Sequence, residues 1–284
     1  MRGALVRELK RPPEPAELDD VQGVTVEAVA LNPLDLSVAN GIFYGGHPTL
    51  PYVPGCEAAG RTEDGSPVYL FGGGRGIRAD GFMRERVDAT DDQMLRLPDG
   101  VEPALAAAAG IAGVAAWVPV AWKAKVTESD RVLVLGGTGT VGRIAAQAAR
   151  LLGAEKVVAV GSRDLDRIAD EFGDEGFTVC IDPVWGEPLA DALAYAALHA
   201  RIVHLGQSAG PTAPLRSADV RGKELHIQGH SNFALTSDER DRAYLELLDH
   251  LAAGRIELEY QTFALDDVAA AWEHQRGGKS VVVL

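Results

Sequence analysis

The sequence predicts an α/β protein of two domains: a parallel-sheet domain in the middle of the chain and a mainly-β domain assembled from its two ends. Three observations lead there. From about residue 119 onward, apolar runs of strand length alternate with stretches of helical spacing, the pattern of βαβ units. A run of glycines separates the first of those strands from the first of those helices. Outside that region the chain carries Pro, Gly and short alternating runs, as antiparallel and barrel-like sheets do. At 284 residues both domains have room for a core. We expect them over 1–118 together with 255–284, and over 119–254.

In the N-terminal part, GVTVEAVAL (23–31), PVYLFG (67–72) and GFMRERVDA (81–89) read as short strands, and the alanine-rich 104–116 reads as one buried helix. In the middle, strands are expected at 131–135 (RVLVL), 156–160 (KVVAV), 177–181 (FTVCI), 201–205 (RIVHL) and 224–228 (ELHIQ). Behind the glycines, Val141, Ile144, Ala145, Ala148, Leu151 and Leu152 repeat at helical spacing. Another helix is expected over 237–253, opened by a capping box of Thr236 and Glu239 and ended by Gly254. GGKSVVVL closes the chain in barrel-like character.

Composition excludes some function classes. The 27 Lys and Arg against 41 Asp and Glu leave a net charge of −14, which argues against nucleic acid and anionic membrane as partners. The two cysteines, Cys56 and Cys180, lie far apart without a CxxC pair, so neither a disulfide framework nor a structural zinc site is suggested. The N-terminal stretch has no signal-peptide core and no apolar run is long enough to span a bilayer, so a cytoplasmic protein is expected.

Gly137-Thr138-Gly139-Thr140-Val141-Gly142 matches G-x-G-x-x-G between a strand and a helix. In that pattern the first glycine permits a tight turn and the second lets a diphosphate approach the main chain. The third lets helix and strand pack, and the helix N-terminus offers bare N–H donors. The alternative is a glycine-rich turn with packing duties only. Dinucleotide sites that prefer NAD place a carboxylate at the end of the second strand. Here Gly161 and Ser162 stand there, followed by Arg163 and Arg167, guanidinium groups suited to the 2′-phosphate of NADP, and so NADPH is the expected cofactor. The competing reading pairs those arginines with Asp164 and Asp166.

Several stretches then line up in order. ALNPLDLSVANG resembles an Asn-Pro-x-Asp segment and LPYVPGCEAAG a Pro-Gly-x-Glu-x-x-Gly segment, followed by VLVLGGTGTVG, CIDPVWG, RIVHLG and GGKSVVVL. Along nearly its whole length the chain resembles the medium-chain dehydrogenase/reductase superfamily, most closely the zinc-free quinone oxidoreductase branch. The resemblance implies a Rossmann domain in the middle and a GroES-like substrate domain from the chain ends. It also implies NAD(P)H-dependent reduction of a quinone or other activated carbonyl compound or enone, and a homodimer. Where zinc-dependent members carry Cys and His ligands, this chain has Asn32 and Cys56, so no metal is expected; Cys56 reads as a small buried residue or, alternatively, a reactive thiol. Only RDLDRIADEFGDEG separates the second strand from FTVCI, where the family usually carries a further strand and helix. The Rossmann sheet is therefore expected one strand short at its adenine edge.

By the same resemblance Asn32, Tyr44 and Tyr52 are the candidate catalytic residues, as hydroxyl or amide donors to a developing oxyanion. Phe43 is an alternative to Tyr44 as the aromatic that meets substrate, and His47 reads as a loop histidine. The candidate cofactor residues are Gly137 to Gly142 (including Thr138, Gly139, Thr140 and Val141), Ser162, Arg163, Arg167, and Gly206 with Gln207 at a strand's carboxyl end. Two other functions fit the same residues: a zinc-free alcohol dehydrogenase or enoyl reductase, and a non-catalytic NADPH-binding redox sensor.

Overall fold

The computed structural model describes all 284 residues, which divide into two compact units: Met1–Ile111 with Leu258–Leu284, and Ala112–Glu257. The first unit opens with β1 (Arg2–Leu5) paired to β2 (Glu14–Glu17), followed by β3 (Val24–Ala30) and α1 (Pro33–Ala39). β4 (Glu57–Arg61), β5 (Pro67–Phe71), β6 (Arg86–Val87), β7 (Met94–Arg96) and α2 (Pro103–Ala109) complete its N-terminal part. GFMRERVDA therefore contributes only two strand residues, because Gly81, Phe82 and Met83 bond the chain around Val53–Gly55 in a loop instead.

The alanine-rich stretch is two helices, α2 and α3 (Ile111–Trp117), broken at Gly110. The break has a steric cause. A Cβ at residue 110 would collide with Glu57 Oε2 and Tyr69 Oη, so a glycine must sit where the chain passes these buried groups. α2 starts with Pro103 and with Glu102, whose carboxylate accepts from Leu105 N at 2.7 Å.

The second unit alternates strands and helices: β8 (Arg131–Leu135), α4 (Thr140–Leu151), β9 (Lys156–Val160), α5 (Arg167–Phe172), β10 (Phe177–Asp182) and α6 (Gly186–Ala192). β11 (Ala196–His204), α7 (Ser217–Gly222), β12 (His226–Gly229) and α8 (Ser237–Ala252) follow. The strands form a five-stranded parallel sheet in the order β12-β11-β10-β8-β9. β9 is an edge strand, as the shortened linker predicts. The capping box at α8 forms as expected, with Thr236 Oγ1 accepting from Glu239 N and Glu239 Oε2 from Thr236 N.

The chain then returns to the first unit with β13 (Gln261–Ala264), α9 (Val268–His274) and β14 (Ser280–Val283). There the sheet order is β13-β14-β3-β4-β5-β7, with β14, β3, β4, β5 and β7 antiparallel in sequence and β13 parallel to β14. Each unit has its own core: Val29, Leu31, Leu70, Phe82 and Trp272 in the first, Leu133, Ile168, Phe177 and Ile202 in the second. No single helix is long and apolar enough to cross a membrane.

Candidate functional site

In the second unit the glycines have separate duties. Gly136, with φ of +63°, makes the turn out of β8, so the tight turn rests on the residue before the motif rather than on Gly137. Gly137 is required by packing, since a Cβ there would lie 2.7 Å from the Ala159 Cβ of β9. A Cβ at Gly142 would collide with Gly136 O, the close strand–helix approach that the motif predicts. Gly139 is different: a Cβ would meet only Gly136 O, at 3.5 Å, and Thr138 and Gly139 are exposed residues. Gly139 caps α4 without a side-chain hydrogen bond. The first N–H groups of the helix, from Thr140, Val141 and Gly142, have no acceptor within it. Arg143, which sequence reasoning passed over, donates from Nε to Thr138 O at 3.0 Å and places a guanidinium on the same turn.

The tip of β9 touches this loop, for a Cβ at Gly161 would be 3.0 Å from Thr138 Cγ2. Ser162 and Arg163 are exposed beyond it, and Arg163 forms no ion pair. Arg167 donates to Glu171 at 3.2 Å, one helical turn along, so neither arginine pairs with Asp164 or Asp166. Asp164 instead carries its Oδ2 to 3.5 Å from the Gly161 Cβ position.

Gly206 and Gln207 leave β11 beside the end of β10. A Cβ at Gly206 would overlap Pro183 O, and Leu205 N donates to Asp182 O at 2.9 Å. Next to them is a group of side chains from CIDPVWG and RIVHLG, stretches that matched as motifs but whose side chains were given no role. Asp182 is fully buried; its Oδ1 accepts from Val184 N at 3.0 Å and Trp185 N at 2.8 Å, and its Oδ2 lies 3.0 Å from His204 Nδ1.

In the first unit, Asn32 is buried at the start of α1 and its amide is engaged at both ends. Oδ1 accepts from Lys279 Nζ at 2.9 Å, and Nδ2 donates to Glu57 Oε1 at 2.7 Å. Lys279 also bonds Leu31 O and Glu57 Oε1, at 3.0 and 3.2 Å. Glu57 Oε2 accepts from Tyr69 Oη at 2.9 Å and Ile111 N at 2.6 Å. Glu57 and Lys279 thus form a buried ion pair whose remaining polar atoms are satisfied, the condition under which such a pair is tolerated. Glu57 entered the sequence reading only as the Glu of the Pro-Gly-x-Glu-x-x-Gly segment and Lys279 was not singled out, although a lone lysine in the apolar closing run GGKSVVVL was the available signal.

Beside this group, Asp35 accepts from Asn32 N at 2.8 Å and Cys56 N at 3.0 Å. Burial pushes the Asp35 carboxyl up to about 6, against the pull of those bonds. Burial, and then the charge of Asp35, push the Cys56 thiol well above its usual range. Tyr52 is 2% exposed and its hydroxyl has no hydrogen-bond partner; burial first, then Asp35 and Cys56, raise that phenol too. Tyr44 is 85% exposed, its ring 4.4 Å from that of Phe43, which packs on the core. His47 Nδ1 lies 2.7 Å from Pro48 O, a local loop contact. Asn32 and Tyr52 therefore share the neighbourhood of Asp35, whereas Tyr44 faces solvent.

Residues 152–281 match the model of the zinc-binding dehydrogenase family. Among curated proteins, the quinone oxidoreductase of Lama guanicoe is 27% identical, over 92% of this chain and 87% of that protein. The quinone oxidoreductase of Sus scrofa is 26% identical, over 95% and 91%. Among solved structures, an NAD-dependent alcohol dehydrogenase superposes with a TM-score of 0.86 at 22% identity, both chains being covered in full. The quinone oxidoreductase of Thermus thermophilus, solved also in complex with NADPH, gives 0.82 at 23%, again over both whole chains. At those identities the solved structures speak for the fold: a Rossmann domain joined to a GroES-like domain. The collinear motifs and the curated relatives add a likeness in sequence to medium-chain dehydrogenase/reductases of the quinone oxidoreductase-like branch.

Proposed function

We propose that the protein is an NADPH-dependent oxidoreductase that passes hydride to a quinone or another activated carbonyl compound without a metal ion. The observation that carries this reading is the open start of α4: uncapped N–H donors at an exposed turn, with only an ordinary van der Waals contact to Gly136 O where a Gly139 side chain would be. Residues 137–142 hold the diphosphate through main-chain N–H groups, helped by Arg143. Ser162 and the unpaired Arg163 take the 2′-phosphate, and Arg167 joins them by leaving Glu171. Gly206 and Gln207 line the nicotinamide half. NADPH, when bound, supplies the hydride. The protein's share of the chemistry is orientation, exclusion of water and a donor for the oxyanion that forms. Tyr44 and Tyr52 are the hydroxyl candidates for that donor. Asn32, whose amide is fixed by Glu57 and Lys279, serves to position its surroundings.

The metal-free part of the proposal rests on the donor set. Asn32 stands where the family's first zinc ligand would be, with its amide bonded at both ends, and the Cys56 thiol is held protonated although zinc takes the thiolate. The lysine ammonium already neutralises Glu57. No three His, Cys, Asp or Glu side chains come together as a metal-binding cluster.

One observation favours NADH instead: the Asp164 carboxylate folds back toward the tip of β9, near the place from which an acidic residue would bond a ribose hydroxyl. Quenching of tryptophan fluorescence by NADPH and by NADH separates the two readings. NADPH oxidation with a panel of small quinones and enones then tests turnover. Tight NADPH binding with turnover of at least one acceptor is expected. Binding without turnover on any acceptor would leave a redox sensor as the better account.

A further inference from the structure

Asp182 and His204 are in-register partners on the parallel strands β10 and β11, both at the strands' carboxyl ends. That is the end at which open parallel sheets bind ligands, at the point where the strand order reverses. Here the order reverses between β8 and β10. The loops after those two strands touch: a Cβ at Gly136 would be 2.9 Å from Val184 Cγ1 and 3.2 Å from Pro183 Cγ. His204 therefore sits beside the same crevice as the glycine loop, one strand further toward β12.

Its ring is held on two sides. Asp182 grips Nδ1, and the Trp185 ring lies over the imidazole at 4.1 Å between centroids. Trp185 is itself held in an unusual conformation, with φ of +60°, which a residue with a Cβ adopts only when its surroundings impose it. The imposing contacts are the two bonds from Val184 N and Trp185 N to the buried Asp182 carboxylate. A backbone outlier, a buried carboxylate and an indole tilted by 39° against the ring thus combine to fix one imidazole. A carboxylate only accepts, so Nδ1 carries a proton, and in the neutral tautomer Nε2 is the acceptor. No protein group bonds Nε2, and the side chain retains 27% of its accessibility.

We infer that His204 Nε2 binds the nicotinamide-riboside half of the cofactor, accepting from a ribose hydroxyl or the carboxamide N–H, with Asp182 and Trp185 as its positioning residues. The inference rests on the cofactor reading above and adds a side-chain contact where only main chain was expected.

Calorimetric titration of the wild type and of H204A with NADPH and with 2′-phospho-ADP, which lacks the nicotinamide riboside, tests it. The expected result is a loss of about 5- to 10-fold in NADPH affinity, the scale of one hydrogen bond, with 2′-phospho-ADP unchanged. H204Q, whose amide reaches a similar distance, should regain part of the loss. In the wild type, the long-range imidazole ¹⁵N resonance of Nε2 should move with NADPH and stay put with 2′-phospho-ADP. Wild-type-like NADPH affinity in H204A, or equal weakening of both ligands, overturns the inference alone. A wild type that binds neither ligand overturns the cofactor reading and this inference with it.

Discussion

The two polar regions of this molecule are built on opposite plans. In the first unit Asn32, Glu57, Lys279 and Tyr69 consume one another's hydrogen-bonding capacity in the core, and even Ile111 N is drawn in. In the second unit the start of α4 leaves its donors without protein partners, at an exposed turn where small residues hold space open. Buried polar groups that are fully paired specify a structure, and leaving one unpaired is costly. Donors left bare at a helix N-terminus are the ones free to meet an anion. Saturation is thus a physical criterion separating a structural cluster from a binding one, although both are rich in residues that a motif search would mark. By that criterion we propose Asn32 as part of the framework, its amide bonded at both ends.

The largest test of that contrast is Lys279→Met. It strips the cation from a fully buried carboxylate, and removal of one partner from such a pair costs about 3–5 kcal/mol. Urea unfolding of the variant should show a loss of that size, with NADPH affinity of the folded fraction little changed. The double variant Glu57→Gln/Lys279→Met should recover a substantial part, because no buried charge is then stranded. A single variant as stable as wild type would mean that the cluster is not the structural device described here.

Gly139→Val probes the other region and should reverse the pattern. At φ of −84° and ψ of 164° any residue is accommodated, and the Cβ position is clear of close contacts. Stability should change by only about 1 kcal/mol, the scale of an N-cap replacement. The valine methyl groups would cover the main chain that the diphosphate needs. Losing one or two charge-assisted bonds corresponds to a fall on the order of 100-fold in NADPH affinity by fluorescence titration. Unchanged affinity would return the loop to packing duties.

Much of the second unit could be read in the sequence because its signals are local: five apolar runs, helical spacing after the glycines, a capping box at Thr236 and a linker too short for another strand. The first unit was harder. Its sheet is made by long-range pairing, such as β14 with β3, that alternation along one strand cannot reveal. Gly110 illustrates the difference. Nothing within AAAAGIAG announces a break, because its cause is Glu57 and Tyr69, remote in the chain. The site divides in the same way. The glycine loop was legible as a motif, whereas the pairing of Glu57 with Lys279 and the alignment of Asp182 with His204 exist only once strands are in register.

The smallest expected effect decides the cofactor. Arg163 is exposed and unpaired at the β9 tip, with Asp164 adjacent, so the same few atoms offer a cation and an anion to the adenosine ribose. Arg163→Glu should weaken NADPH by about tenfold, the lower end for a charge-assisted contact because solvent screens the site. NADH, lacking the phosphate, should change by no more than about twofold, well below the scale of a lost charged bond. Asp164→Ala should act in the opposite sense: it leaves the phosphate contact and relieves repulsion, so NADPH binds at least as well. If Asp164→Ala instead weakens NADH while Arg163→Glu affects both nucleotides alike, the carboxylate is reading a free ribose hydroxyl. The preference would then belong to NADH, although the open loop at Gly139 would still hold the diphosphate.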